Sequence, residues 1–251
     1  MNFQDLKSIE TPDTYLDIAF RKAKKNIEKS RESTKIGQGA DARIEKSRKL
    51  EIERMSTIRN TLYDRLKEIL TSFPSINQLP IFYQELIRCT LDYVALKKSL
   101  GAVNWAGMKV TDFFKIYQAK IAKTRSLEKV NAYRREFYGR VSSILKKIKQ
   151  ELAYLEESRK VMKGFPAIKT SVKTVAVMGF PNVGKTTLLY KLTGSKPEIN
   201  NYSFTTKRIN ISYIKTKESK IQVLDTPGTL NRFEKMNNIE KQAYLALKHC
   251  T

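Results

Sequence analysis

The sequence predicts an α+β multidomain chain: a helical bundle over residues 1–163, a linker at 164–171, and the N-terminal part of a P-loop α/β domain over 172–251. Three observations carry this. In the first part, apolar residues recur every three or four positions, the period of one helix face. The run Val175-Ala176-Val177-Met178 is short, apolar and β-branched, as a buried strand of a parallel sheet is. That run breaks at Gly179, and Gly179 and Gly184 bracket four residues before Lys185 and Thr186, with a helical pattern beyond. Strand, glycine loop and helix in that order are the context a phosphate-binding loop requires.

Taken in order, the elements read as follows. Thr11-Pro12-Asp13-Thr14 starts a helix, with Thr11 as N-cap and Pro12 at the first helical position. Residues 30–41 are polar, basic and glycine-containing, as a loop is. A long helix is expected from about Ala42 to Leu70, with Ile52, Met55, Leu62, Leu66 and Ile69 on one stripe and Arg43, Lys46, Lys49 and Arg54 off it. Phe73-Pro74-Ser75 ends it. Leu79-Pro80 opens a helix through Phe82, Leu86, Tyr93, Leu96 and Leu100, and the two glycines of 101–107 predict a bend around Trp105. A helix from about Val110 to Lys123 leads to one near Leu127–Met162, burying Val130, Phe137, Val141, Ile144, Ile148, Leu152 and Leu155. Tyr133 and Tyr138 lie at helical spacing and read as core before they read as a stacking surface for RNA bases. Lys163-Gly164-Phe165-Pro166 breaks this helix. Beyond the glycine loop, Thr187–Leu192 is helical and closed by Gly194, Ile209–Ile214 and Ile221–Leu224 form a hairpin, and a helix runs from about Asn238 to Lys248.

Composition bounds the partners. The 48 Lys and Arg against 25 Asp and Glu give a net charge of +23, which favours a polyanion, nucleic acid before an anionic membrane surface. The excess is spread evenly, with 35 basic and 20 acidic side chains through residue 170 and 13 and 5 beyond it. Cys89 and Cys250 make no disulfide framework, and neither they nor the single His249 have metal-ligand spacing. With no membrane-spanning apolar run, the expectation is a cytoplasmic protein with no membrane partner.

The residue types of the glycine loop suit phosphate chemistry. Glycines let backbone N–H groups and the helix N-terminus point at an anion. Lys185 can reach β- and γ-phosphates, and the Thr186 hydroxyl can coordinate Mg²⁺. Asp225, at the end of the second hairpin run, can hold that Mg²⁺ through water. Gly228 can offer its N–H to a γ-phosphate and release it after hydrolysis, and Thr206, or else Thr205, can complete the metal shell. That order predicts a guanine-nucleotide switch.

GFPNVGKT at 179–186, YSFTTKR at 202–208 and DTPG at 225–228 resemble the Obg-like branch of translation-factor-class GTPases. The helix NNIEKQAYLAL at 237–247 and the segments TYLDIAFRKA, YDRLKEILTSFP, PIFYQELI and LAYLEESRKVMKGFP are similar to the Nog-type nucleolar GTP-binding protein family, over about residues 8–250. The resemblance implies GTP and GDP as ligands with Mg²⁺, and precursors of the large ribosomal subunit and their rRNA as partners. It would place the protein in the nucleolus of a nucleated cell. It assigns nucleotide contacts to Gly179, Phe180, Pro181, Asn182, Val183, Gly184, Lys185, Thr186 and Thr187, and to Asp225, Thr226, Pro227 and Gly228. Thr186, Thr206 and Asp225 become metal ligands, while Lys185, Thr206 and Gly228 carry hydrolysis. Asn182 matches an Asn that related GTPases use for a monovalent cation.

Two departures shape the expectation. Thr229 and Leu230 follow Gly228 where Ras-like enzymes keep a water-orienting Gln, which implies slow intrinsic turnover or a water positioned by a partner or cation. The guanine-specificity motif N-K-x-D does not occur in the 251 residues, so the chain is expected to be truncated. Its last hairpin and the helix bearing Ala243, Leu245 and Leu247 should then expose apolar faces, and GTP and ATP should bind weakly and alike. A reading from another class is a non-enzymatic RNA- or ribosome-binding protein with a vestigial nucleotide domain.

Overall fold

A computed structural model describes residues 3–33, 40–169, 172–180, 182–194, 209–215, 220–226 and 233–249. Among the described residues the helices are α1 (Pro12–Ser33), α2 (Ala40–Ser72), α3 (Ile81–Thr90), α4 (Tyr93–Lys123), α5 (Leu127–Lys147), α6 (Lys149–Lys163), α7 (Lys185–Thr193) and α8 (Asn238–Lys248). The strands are β1 (Thr174–Val177), β2 (Asn210–Lys215) and β3 (Lys220–Asp225). A helical part thus precedes a small mixed-sheet P-loop part. No helix among the described residues is long and apolar enough to cross a membrane.

Packing divides the chain into two compact units, one of Lys7–Phe73 with Val94–Arg159, the other of Met1–Leu6, Pro74–Tyr93 and Lys160–Thr251. The first is all helix. Thr11 caps α1, its hydroxyl accepting from the Thr14 N–H at 3.3 Å. The core collects Ala19, Ala23 and Ile27 of α1, Met55, Ile58, Leu62 and Leu66 of α2, and Val103, Val110 and Ile121 of α4. Val130, Phe137, Val141, Leu152 and Leu155 join them as expected. Arg54 lies less outside than its position off the stripe suggests: its side chain is 18% exposed and pairs at 3.1 Å with Glu51, which Arg134 also holds at 3.0 Å. A buried carboxylate needs such partners to stay charged.

Two helix breaks differ from expectation. Gly101 and Gly107 do not bend the chain, and α4 runs through both. A Cβ at Gly107 would meet the Tyr63 ring at 3.6 Å, an ordinary van der Waals contact, so the packing there does not require a glycine. The break comes earlier, at Leu91 (φ −129°, ψ 152°), and Asp92 then precedes α4 as helix-starting residue types do. Likewise the expected helix over 127–162 is interrupted at Ile148 (φ −93°, ψ 19°), which divides α5 from α6.

The second unit holds the sheet, in the order β1-β3-β2. β1 pairs parallel with β3, Val177 opposite Asp225, and β2 pairs antiparallel with β3, Asn210 opposite Asp225. β1 is not buried on both faces, since Val175 is 53% exposed, and Met178 just beyond it is also exposed. The segment after α6 enters this unit with Phe165 and Ile168 buried. There Phe3 packs edge-on against Tyr83 and Phe165, and the Tyr83 hydroxyl donates to the carbonyls of Pro166 and Ile168 at 2.9 and 3.1 Å. Burial pushes that phenol up to about 12, which keeps it a donor.

The terminal helix α8 does not expose its apolar face. Asn237 and Glu240 form a capping box, and Ala243, Leu245 and Ala246 are buried. The covering element is α3. Lys248 and His249 both reach Glu85 of α3, at 2.9 and 3.0 Å, and the Lys241 ammonium donates to the Cys89 carbonyl. The exposed large apolar side chains of this unit are Ile81 on α3, Tyr244 on α8, and Val175, Met178, Phe180, Val183, Leu188, Tyr190 and Leu192.

Candidate nucleotide site

The site grows from the parallel pairing of β1 with β3. That register ends both strands at one level, so the loop leaving β1 and the carboxylate ending β3 emerge side by side. Thr226 secures the junction, its hydroxyl donating to the Val177 carbonyl at 2.7 Å. The loop itself needs unusual backbone. Asn182 has φ 62°, and Gly184, which caps α7, has φ 87° and ψ 17°. Asn tolerates this region better than most residues, and glycine does so without strain. Helix α7 then starts at Lys185, closes its first turn from Leu188 N–H to Gly184 carbonyl at 2.9 Å, and ends at Gly194 with φ 68°.

Lys185 is folded into its own loop. Only 9% of the residue is exposed, and its Nζ donates to the carbonyls of Gly179 at 3.0 Å and Phe180 at 2.7 Å. Burial lowers its pKa below the ordinary lysine value, and the nearby Asp225 charge partly offsets that. Phe180, Asn182, Val183 and Thr187 face solvent.

Thr186 and Asp225, 39 residues apart, meet here. The Thr186 hydroxyl donates to Asp225 Oδ2 at 2.7 Å. Asp225 is fully buried and also accepts from Asn210 Nδ2 at 3.4 Å. Its Oδ1 is buried with no hydrogen-bond partner among the described residues. A buried, unpaired carboxylate oxygen costs roughly 1–3 kcal/mol or more, a cost that a cation removes. One hydroxyl and one carboxylate, both hard oxygen donors, suit Mg²⁺, which is held by few protein ligands together with water and phosphate. The residues present therefore fit that ion.

The structure thus brings together Gly179, Gly184, Lys185, Thr186, Asp225 and Thr226. Pro181, Thr205, Thr206, Pro227, Gly228 and Thr229 lie outside the described residues. Sequence reasoning misses Asn210, although its signal is available: an antiparallel pairing that sets residue 215 opposite 220 also sets residue 210 opposite 225.

Residues 3–169 match the NOG1 N-terminal helical domain, and residues 174–251 match the 50S ribosome-binding GTPase domain. This chain belongs to the Nog1 family. An uncharacterized protein of Methanocaldococcus jannaschii is 38% identical over 248 residues, 98% of this chain and 68% of that protein. Nucleolar GTP-binding protein 1 of Saccharomyces cerevisiae is 29% identical over 250 residues, 99% of this chain and 38% of that protein. The namesake from Caenorhabditis elegans is 33% identical over 193 residues, 76% of this chain and 28% of that protein. The chain thus spans about two thirds of the archaeal relative and far less of the eukaryotic Nog1 proteins.

Proposed function

We propose that this Nog1-family chain is a GTP-binding switch that hydrolyses GTP with Mg²⁺ and acts in assembly of the large ribosomal subunit. In this reading the basic helical part, residues 1–163, docks on rRNA and the part from residue 172 reads the nucleotide. The protein works in the cytoplasm, or in the nucleolus of a nucleated cell. The observation that carries the reading is the Thr186–Asp225 pair, with its unpartnered buried oxygen, beside a glycine loop that opens a helix.

Each residue has a proposed task. The loop amides from Gly179 to Thr187 and the N-terminus of α7 would cradle the phosphates, with Lys185 exchanging its two loop carbonyls for β- and γ-phosphate oxygens. Thr186 and Asp225 would hold Mg²⁺, with Thr206 completing the shell. The ion, when bound, neutralises charge on the phosphates. Gly228 would donate its N–H to the γ-phosphate and let go after hydrolysis, and Asn182 would hold a monovalent cation. Co-sedimentation of the chain with large ribosomal subunits, with a non-hydrolysable GTP analogue and with GDP, tests this reading. Nucleotide-dependent association supports it, and equal or absent association in both refutes it.

A further inference from the structure

We propose that a cavity between α1, α2 and α5 receives an unstacked RNA nucleotide, a site that rests on the reading that the helical part meets RNA. The cavity has a volume of about 500 Å³, within the range of about 300–1,000 Å³ typical of small-ligand sites. Its apolar floor is Ala23 and Ile27, both fully buried. Phe20 and Tyr138 stand beside it, edge to face with ring centroids 5.0 Å apart. A T-shaped pair leaves a ring face for a third flat π-system, and single-stranded bases bind proteins by such stacking.

The polar groups match the rest of a nucleotide. Arg54 lines the cavity, its guanidinium paired with Glu51 at 3.1 Å and hydrogen-bonded to Tyr138. At the rim, Lys24 and Arg31 face solvent with Glu28 as the one acid, leaving a net positive mouth for a phosphate. Apolar floor, aromatic wall and cationic rim together fit a base joined to a phosphate. An acidic peptide would satisfy the rim alone.

The test is 2-aminopurine fluorescence in a single-stranded RNA oligomer, titrated with the full chain in saturating GDP so that the phosphate loop is occupied. Stacking on Phe20 and Tyr138 should quench the probe. Phe20→Leu with Tyr138→Leu, which keeps apolar volume, should abolish the quench and weaken binding about five- to hundred-fold, the range of base–aromatic stacking. The salt dependence should stay as in the parent, since phosphate contacts set it. Helical circular dichroism confirms that the variant folds, and Arg31→Gln, at an exposed position, must also weaken binding. RNA binding with no quench, or with the aromatic variant equal to the parent, overturns the cavity while leaving RNA docking intact. No RNA binding at all overturns both. Equal quenching of 2-aminopurine ribonucleoside monophosphate would assign the cavity to a free nucleotide, and displacement of the RNA by an acidic aromatic peptide would assign it to protein. Either result overturns the RNA assignment.

Discussion

Replacing Lys185 by Met would keep the apolar stem beside Gly179 and remove only the ammonium. In the parent that group makes two charge-assisted hydrogen bonds to loop carbonyls, at 3.0 and 2.7 Å. Bonds of this kind contribute about 1.5–3 kcal/mol each. The loop carbonyls can turn to water when the ammonium leaves, so the fold should lose little. A nucleotide, by contrast, loses the cation that faces its β- and γ-phosphates. One such bond corresponds to about a ten- to hundred-fold loss of affinity, since about 1.4 kcal/mol is tenfold. Fluorescence anisotropy of a labelled GDP, parent against Lys185→Met, measures it. The pH profile adds a sign. Burial lowers the Lys185 pKa, so in the folded chain its charge is lost at lower pH than in the unfolded chain. Nucleotide affinity should therefore fall as pH rises toward the ordinary lysine value of about 10.4, and begin to fall below it. Lys185→Arg, which stays charged, should flatten that fall. Equal GDP affinity in parent and Lys185→Met would refute the reasoning.

Other outcomes follow from the same geometry. Gly184 has φ 87° with open space where a Cβ would sit, so Gly184→Ala should cost about 1–2 kcal/mol of left-handed strain with no clash, read as a lower unfolding midpoint of the sheet unit. Neutralising Arg43, Lys46 and Lys49 together should weaken RNA binding alike across sequences and lower the salt slope by about 2, from roughly 0.7 for each phosphate no longer neutralised. An unchanged slope would exclude these side chains from the interface. Glu85 is held below the ordinary glutamate range by Lys248 first and then His249. A lowered carboxyl pKa stabilises above the unfolded value and stops doing so as pH falls through the folded value. Acid should therefore loosen α8 from α3, and Glu85→Gln should remove that sensitivity, as hydrogen exchange of the α8 amides can show.

The helices are legible because their apolar stripes are long: Met55, Leu62, Leu66 and Ile69 on α2, or Phe137 and Val141 on α5, recur at a period few other structures share. The glycine loop is legible because its residue types are dictated by backbone and phosphate geometry. What fails is local and contextual. Glycine reads as a breaker at 101 and 107, yet α4 runs through both, its tertiary packing overriding the local propensity. Leu91-Asp92 breaks the chain with an extended leucine, and leucine alone gives no such signal. The apolar run of β1 promises burial on both faces, but Val175 lies open. The packing of α8 on α3 joins residues more than 150 positions apart, such as Lys248 and Glu85, and no periodicity reports pairings of that range. Tyr138 reads chiefly as core and is instead half-buried beside a cavity shared with Phe20 and Arg54.

The most direct test of the central claim is Mg²⁺-dependent binding of labelled GTP by the chain and by its Asp225→Asn variant. Asp225 is buried, holds Thr186 at 2.7 Å and carries the unpartnered oxygen that suits the ion. The parent should bind saturably, and more tightly with Mg²⁺ than with a chelator. The variant should bind equally in both conditions, at the level of the parent without metal. Binding that ignores Mg²⁺ in the parent, or a Mg²⁺ response that survives in Asp225→Asn, would contradict the account.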